Sequence, residues 1–293
     1  MNVFADLHIH SSFSDGTLTP EEIVARAVQH DLQALALSDH DSVDGCERMA
    51  ASCAKAGLEY IPACELTAEQ EHEELHLLAY FMDPTDPAFL EKIGQFQTVR
   101  QNRIREMVSK LNRLGMPVEV QRVFTLANCR APGRPHVARA LVEKGLCGSA
   151  DEAFDRFLKR NRPAWVPKFR MCAADGISLI HQAGGLAVLA HPGLNHSDEC
   201  IPVLVEAGLD GMECIHTKHS TSMSEHYLEV ADRFGLLVTG GSDCHGRTKN
   251  GPLLGTIHLP YQHVEKLKQA VTDRRRRPAV APAPDSYGIL FQD

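Results

Sequence analysis

The sequence predicts an α/β protein: a parallel β-sheet, open or closed into a barrel, interrupted by an all-helical insertion. Three observations lead there. Over most of its 293 residues the chain alternates short apolar runs with amphipathic helical patterns, the rhythm of a parallel sheet. Between residues 100 and 170 that rhythm stops and only helical patterns remain. Histidines and acidic residues recur at the ends of the strand-like runs, where α/β folds gather their ligand sites.

The elements follow in order. The run VFADLHI reads as a first strand and TPEEIVARAVQH as a helix, with Thr19 as N-cap, Pro20 at the first helical position and Glu22 completing a capping box. LQALALSDH is a second strand, residues 44 to 56 a helix stopped by Gly57, and LEYIPACELT and LHLLAYF two further strands. Residues 87 to 115 read as one long helix. Phe89, Leu90, Ile93, Phe96, Ile104, Met107, Val108, Leu111 and Leu114 recur near the helical period, and Gly115 is a C′ stop. The helical pieces VEVQRVFTLA, RPHVARALVEKG and SADEAFDRFL follow. Alternation resumes with the helix AADGISLIHQAGG, the strand LAVLAHPG, a helix ending at Gly208, the strand LDGMECIHT, the helix SEHYLEVADRFG, and the strands LLVTGGSDCH and GTIHLP. The arginine run at 274–277 reads as a polar exit from the last helix.

Composition narrows the class. No window approaches the roughly 18 consecutive apolar residues of a membrane span, and MNVFADLHIH lacks the features of a signal peptide, so a cytoplasmic location is expected. Nine scattered cysteines with no CxxC pair suit a reducing compartment and argue against a thiolate zinc site. The net charge of −8 alone would discourage polyanionic ligands, but its distribution reverses that reading. Residues 100–170 carry 16 Lys and Arg against 6 Asp and Glu, and the remainder 14 against 32. A basic helical insertion (100–170) on an acidic body (1–99 and 171–293) is expected to cap the substrate.

The histidines carry the chemistry. His8 and His10 end the first strand, Asp39 and His40 the second and Glu65 the third. His76 lies in the fourth, His191 ends a later one, and Asp243 and His245 another. Spacing by two points His8 and His10 the same way, and Asp243 and His245 likewise. A lone histidine there is ordinarily a satisfied core residue. So many polar groups desolvated together are costly unless cations pair with them. Imidazole and carboxylate donors without thiolate suit manganese, iron or zinc, and nine ligands suit two or three ions sharing carboxylates.

The strings DLHIHSSFSDG, LALSDHD, PACELT, LAHPG and GSDCHG resemble the ordered motifs of the PHP (polymerase and histidinol phosphatase) family, related to the amidohydrolases. The resemblance spans residues 6 to 246 outside the insertion. It implies a distorted seven-stranded β/α barrel holding two or three divalent ions, manganese first, with iron or zinc as alternatives. Carried over residue by residue, one ion takes His8, His10, Glu65 and Asp243, a second Asp15, His40 and His245, and a third Glu65, His76 and His191. Asp15 stands where some family members have histidine, which leaves metal identity open. The turn SSFSDG is expected to let Asp15 reach an ion while its serines face an incoming phosphate.

Such a centre suits hydrolysis of a phosphate ester by a metal-bridging hydroxide, with His216 as a candidate proton donor. Arg134, Lys168, Arg170 and Arg247 are candidate phosphate binders; Trp165 could stack on a base, although a tryptophan is more often packed core. Length and helical insertion resemble the subgroup of bacterial 3′,5′-nucleotide bisphosphate phosphatases that also degrade short RNA 5′→3′. That implies a nucleotide or short RNA as substrate, with no membrane and no obligate protein partner. Two other readings remain open: a small-metabolite phosphatase of the histidinol-phosphate type, whose substrate calls for acidic specificity residues, and a metal-stabilised nucleotide-binding protein without turnover.

Overall fold

A computed structural model describes residues 3–71, 73–167, 171–194, 198–246 and 251–276. In the first third β1 (Phe4–Ile9), β2 (Leu32–Leu37) and β3 (Glu59–Gln70) run parallel, joined by α1 (Pro20–Gln29) and α2 (Cys46–Ala56). The Thr19–Glu22 capping box opens α1, and Gly57, in the left-handed region at φ 71°, ends α2.

The sheet departs from the expected all-parallel pattern at β4 (Glu73–Tyr80). This strand follows β3 through a tight turn with Glu71 at φ 50° and pairs with it antiparallel, so there is no room for a crossover helix. The hairpin places the amino-terminal half of β4, with His76 opposite Thr67, beside the carboxyl end of β3.

Next come α3 (Pro87–Arg113), α4 (Val120–Ala127), α5 (Arg134–Glu143) and the short α6 (Ala150–Ala153), which continues as a π-turn over Phe154–Leu158. Asp86 caps α3 by accepting from the Phe89 N–H at 2.8 Å, and Gly115 beyond its end has φ 75°. One helix serves two cores. Phe89, Ile93 and Phe96 pack against the sheet, whereas Ile104, Met107, Val108 and Leu111 pack with Val123, Val137, Leu141 and Leu158 among the helices.

The chain returns through β5 (Met171–Cys172), α7 (Ala173–Gln182), β6 (Leu186–Leu189), α8 (Cys200–Glu206), β7 (Gly211–His216), α9 (Thr221–Phe234), β8 (Leu237–Gly241), β9 (Leu259–Pro260) and α10 (Gln262–Arg276). The sheet order is β8-β7-β6-β4-β3-β2-β1-β9, with β5 on β3. Beyond β8 the chain turns back onto β1: the Asp243 N–H donates to the His8 carbonyl at 2.8 Å and the His10 N–H to the Cys244 carbonyl at 3.0 Å. This nearly closes a distorted (β/α) barrel of seven strands. Gly241 permits the closure, since a Cβ there would lie 2.4 Å from the His8 backbone nitrogen.

Within the arginine run, Arg274 pairs with Asp210, and Arg275 donates to the Phe81 and Gly184 carbonyls, so these two fasten α10 to the barrel; Arg277 lies outside the described residues. Among the described residues no helix is long and apolar enough to cross a membrane.

Candidate metal centre

All nine residues singled out as ligands meet at one rim of the barrel. His8 comes from β1 and His10 from just beyond it. Asp15 belongs to the following turn, His40 follows β2, Glu65 lies in β3, and His76 lies in β4. His191 follows β6, and Asp243 and His245 follow β8. Glu65 is the hub. Its Oε1 lies 2.8 Å from His76 Nδ1 and 3.1 Å from His191 Nε2, and its Oε2 lies 2.9 Å from His40 Nδ1 and 3.3 Å from His10 Nε2. Asp243 Oδ1 lies 3.2 Å from His10 Nε2 and 3.5 Å from His8 Nε2. Asp15 Oδ1 lies 3.3 Å from His245 Nε2, and its Oδ2 3.9 Å from His40 Nε2.

The donor set fits cations. His8 Nε2 and His10 Nε2 lie 3.1 Å apart in the interior. Adjacent donors around an ion with bonds near 2.1 Å are about 3 Å apart, so this spacing is that of two ligands sharing a metal. His10 Nδ1, His40 Nδ1, His191 Nδ1 and Glu65 Oε2 are buried without a hydrogen-bond partner among the described residues. Burying so many polar atoms without partners is unfavourable unless a cation joins them. Candidate ligand groups overlap: His10, Asp15, His40 and His245; His8, His10 and Asp243; His8, Glu65 and His191; His40, Glu65 and His76. His8, His10 and His40 therefore each reach two groups, whereas the sets implied by the resemblance shared Glu65 alone. Among the described residues none of these groups includes a cysteine.

Charge within the cluster is strongly coupled. Burial alone would raise the Asp15 carboxyl, but His245 and His40 outweigh it and hold Asp15 well below the usual range. Burial is likewise outweighed at Glu65, chiefly by His40 and His76. Burial pushes His40 down to about 4, which keeps its ring neutral with a lone pair to offer.

Two further carboxylates support the centre: Asp39, which the sequence placed among the strand-end donors and the family resemblance then left without a ligand role, and Glu213, which the sequence reading passed over. Asp39 accepts from the Ser11 N–H at 2.7 Å, the Ser11 hydroxyl at 2.6 Å and the Ser14 hydroxyl at 2.5 Å, all buried. These serines were expected to face phosphate. Instead Ser11 and Ser14 pin the turn that carries Asp15, because Asp39, with no ion pair among the described residues, needs donors. Glu213, fully buried in β7, lies with both oxygens 3.1 Å from His8 Nδ1 and accepts from the His191 N–H at 2.8 Å. The register of β7 shifts between Glu213 and Ile215. In a regular strand residues 213 and 216 would face opposite ways; the irregularity turns both toward the site.

His216 sits beside the cluster, with Nε2 3.6 Å from Asp243 Oδ2 and without a hydrogen bond. The Lys218 N–H donates to its Nδ1 at 3.2 Å. Nδ1 is thus an acceptor, and the ring proton belongs on Nε2, aimed at the centre.

A cleft of about 240 Å³ opens over the cluster, with Arg100, Arg103, Arg134 and Phe154 from the helical segment in its wall. Arg100 pairs with buried Asp41 at 2.6 Å. Arg103 and Arg134 have no carboxylate ion pair among the described residues; they donate to the carbonyls of Val166 (2.9 Å) and Leu158 (3.5 Å). Burial, with Arg134 and Arg100 nearby, pushes Arg103 down to about 9. Like charges gathered this way are unfavourable until an anion joins them. Trp165 is half-buried, its carbonyl accepting from Lys110 Nζ at 3.0 Å, and the aromatic side chain lining the cleft is Phe154 instead. Lys168, Arg170 and Arg247 lie outside the described residues.

Residues 6–93 match the family described as PHP domain. The chain is 34% identical to the 5′-3′ exoribonuclease Rnm of Escherichia coli, covering 83% of this chain and 85% of that one. It is 31% identical to the 3′,5′-nucleoside bisphosphate phosphatase of Chromobacterium violaceum, covering 87% and 92%. The crystal structure of a candidate metal-dependent phosphoesterase from Bifidobacterium adolescentis superposes with a TM-score of 0.84 at 30% identity, covering 91% and 95%.

Proposed function

The chain belongs to the PHP domain family and is a metal-dependent phosphoesterase, and from that premise we propose that it removes the 3′-phosphate of nucleoside 3′,5′-bisphosphates. Short 5′-phosphorylated RNA, degraded 5′→3′, is the second proposed substrate. One observation carries the reading: the imidazole–carboxylate cluster lines the same cleft as the guanidiniums of Arg103 and Arg134, which have no carboxylate ion pair among the described residues. A substrate with two phosphates satisfies both, one group over the cluster and the other on the arginines.

The ligands proposed for two or three divalent ions, manganese by preference, are His8, His10, Asp15, His40, Glu65, His76, His191, Asp243 and His245. When bound, such ions act as Lewis acids toward phosphoryl oxygens and make a coordinated water acidic. The chain's own groups do the rest. Arg134 and Arg103 hold the remote phosphate and so fix which ester bond meets the cluster. Phe154 offers the base a flat apolar surface. His216, whose Nε2 lies 3.6 Å from Asp243 Oδ2, is the proposed proton donor to the departing ribose oxygen. Arg100, Arg103 and Arg134 outnumber Glu74 in the cleft wall, which argues against a substrate with one phosphate and a cationic amine such as histidinol phosphate.

Phosphate release from adenosine 3′,5′-bisphosphate, histidinol phosphate and a 5′-phosphorylated RNA pentamer, measured in parallel on the manganese-loaded protein, tests the reading. The bisphosphate is expected to have the highest kcat/KM. Preference for histidinol phosphate would overturn the substrate assignment, and bound metal without turnover would favour a nucleotide-binding role.

A further inference from the structure

We propose that Glu213 is a positioning residue that couples two of the ion positions, because one carboxylate holds the ring of His8 and the backbone of His191 together. The inference rests on the metal centre described above. Both Glu213 oxygens lie 3.1 Å from His8 Nδ1. A proton on Nδ1, donated to that carboxylate, leaves the Nε2 lone pair directed at the cluster, where His10 Nε2 is 3.1 Å away and Asp243 Oδ1 3.5 Å.

The second hydrogen bond acts on another ligand. His191 has φ 28°, a backbone conformation sparsely populated by residues other than glycine, and its N–H donates to Glu213 Oε2 at 2.8 Å. That bond holds the kink which brings His191 Nε2 to 3.1 Å from Glu65 Oε1 and 3.3 Å from His76 Nδ1. Glu213 therefore supports the His8–His10–Asp243 position and the Glu65–His76–His191 position at once. Among the described residues no hydrogen bond or ion pair joins it to Asp15, His40 or His245.

This uneven reach gives the test its shape. Glu213→Gln keeps the side chain's size but removes the charge and, with its oxygen kept on the His191 N–H, sets an NH2 donor 3.1 Å from the His8 Nδ1 donor, so the hold on both residues weakens. Manganese equivalents and affinities are measured on the purified full-length chain by titration against a competing chelator. Circular dichroism and the Tm of the metal-free protein check the fold. The expected result is a 10- to 100-fold loss of affinity for two equivalents, on the order of magnitude typical of lost metal-supporting hydrogen bonds. The equivalent held by Asp15, His40 and His245 keeps its wild-type affinity. Excess manganese restores kcat, and KM for the substrate is unchanged. Should the glutamine variant fail to fold, Glu213→Asp, too short to reach both partners, is read the same way. Wild-type affinity at every position, loss at a single position, or equal loss at all of them overturns the proposal. Absence of manganese binding to the wild-type chain overturns the metal centre itself, and this coupling with it.

Discussion

Oε2 of Glu65 approaches Nδ1 of His40 to 2.9 Å, yet no hydrogen bond joins them and both atoms are buried. Two lone-pair donors facing each other in the interior are accounted for by a shared cation. Glu65→Gln removes the charge that sits among five imidazoles, those of His8, His10, His40, His76 and His191. Supporting groups around a metal typically contribute 10- to 100-fold in affinity, so loss of the hub carboxylate is expected to lower manganese retention and kcat by at least about 100-fold. Metal analysis after gel filtration, alongside turnover, checks this.

Arg134→Ala is expected to raise KM for adenosine 3′,5′-bisphosphate by about 10- to 100-fold, the equivalent of one charge-assisted hydrogen bond of about 1.5–3 kcal/mol, with a smaller change in kcat. A substrate without a remote phosphate, such as p-nitrophenyl phosphate, should be hydrolysed as before. A matching loss on both substrates would move Arg134 from remote-phosphate binding to the reacting end.

His216→Asn removes the proton aimed at the cluster while keeping a polar side chain. Turnover of a ribose phosphate, with its poor leaving group, is expected to fall by about 100-fold or more, and that of p-nitrophenyl phosphate by much less. Equal losses would exclude His216 as the proton donor.

Gly241→Ala tests the closure of the barrel independently of chemistry. The added methyl would overlap the His8 backbone, and relief requires β8 and β1 to separate. Overpacking of this kind costs about 1–3 kcal/mol, so a Tm lowered by several degrees and weaker manganese binding are expected. An unchanged Tm would show that the strands have slack at this point.

Much of this arrangement was legible in the sequence because it depends on local chemistry. The Thr19–Glu22 capping box, the glycine stops at Gly57 and Gly115, and the period-two pairs His8/His10 and Asp243/His245 each leave a signature within a few residues. What escaped depends on distant partners. The β3–β4 hairpin was hidden because LHLLAYF reads alike as a parallel or antiparallel strand, and direction is settled by what it pairs with. Glu213 was hidden because it lies three residues from His216, an odd spacing that points to the opposite face unless β7 shifts register. Its carboxylate in an otherwise apolar strand, GMECIH, was the available signal. Arg100 and Arg103 belong to the basic insertion expected to cap the substrate but were not singled out, because helical periodicity does not show which basic residues meet the cleft; the packing of α3 over the barrel rim does.

The identity of the product from adenosine 3′,5′-bisphosphate tests the central claim most directly. With manganese-loaded protein and chromatographic separation, the account predicts adenosine 5′-phosphate and one equivalent of inorganic phosphate. Accumulation of adenosine 3′-phosphate, or no release of phosphate while manganese is bound, would contradict it.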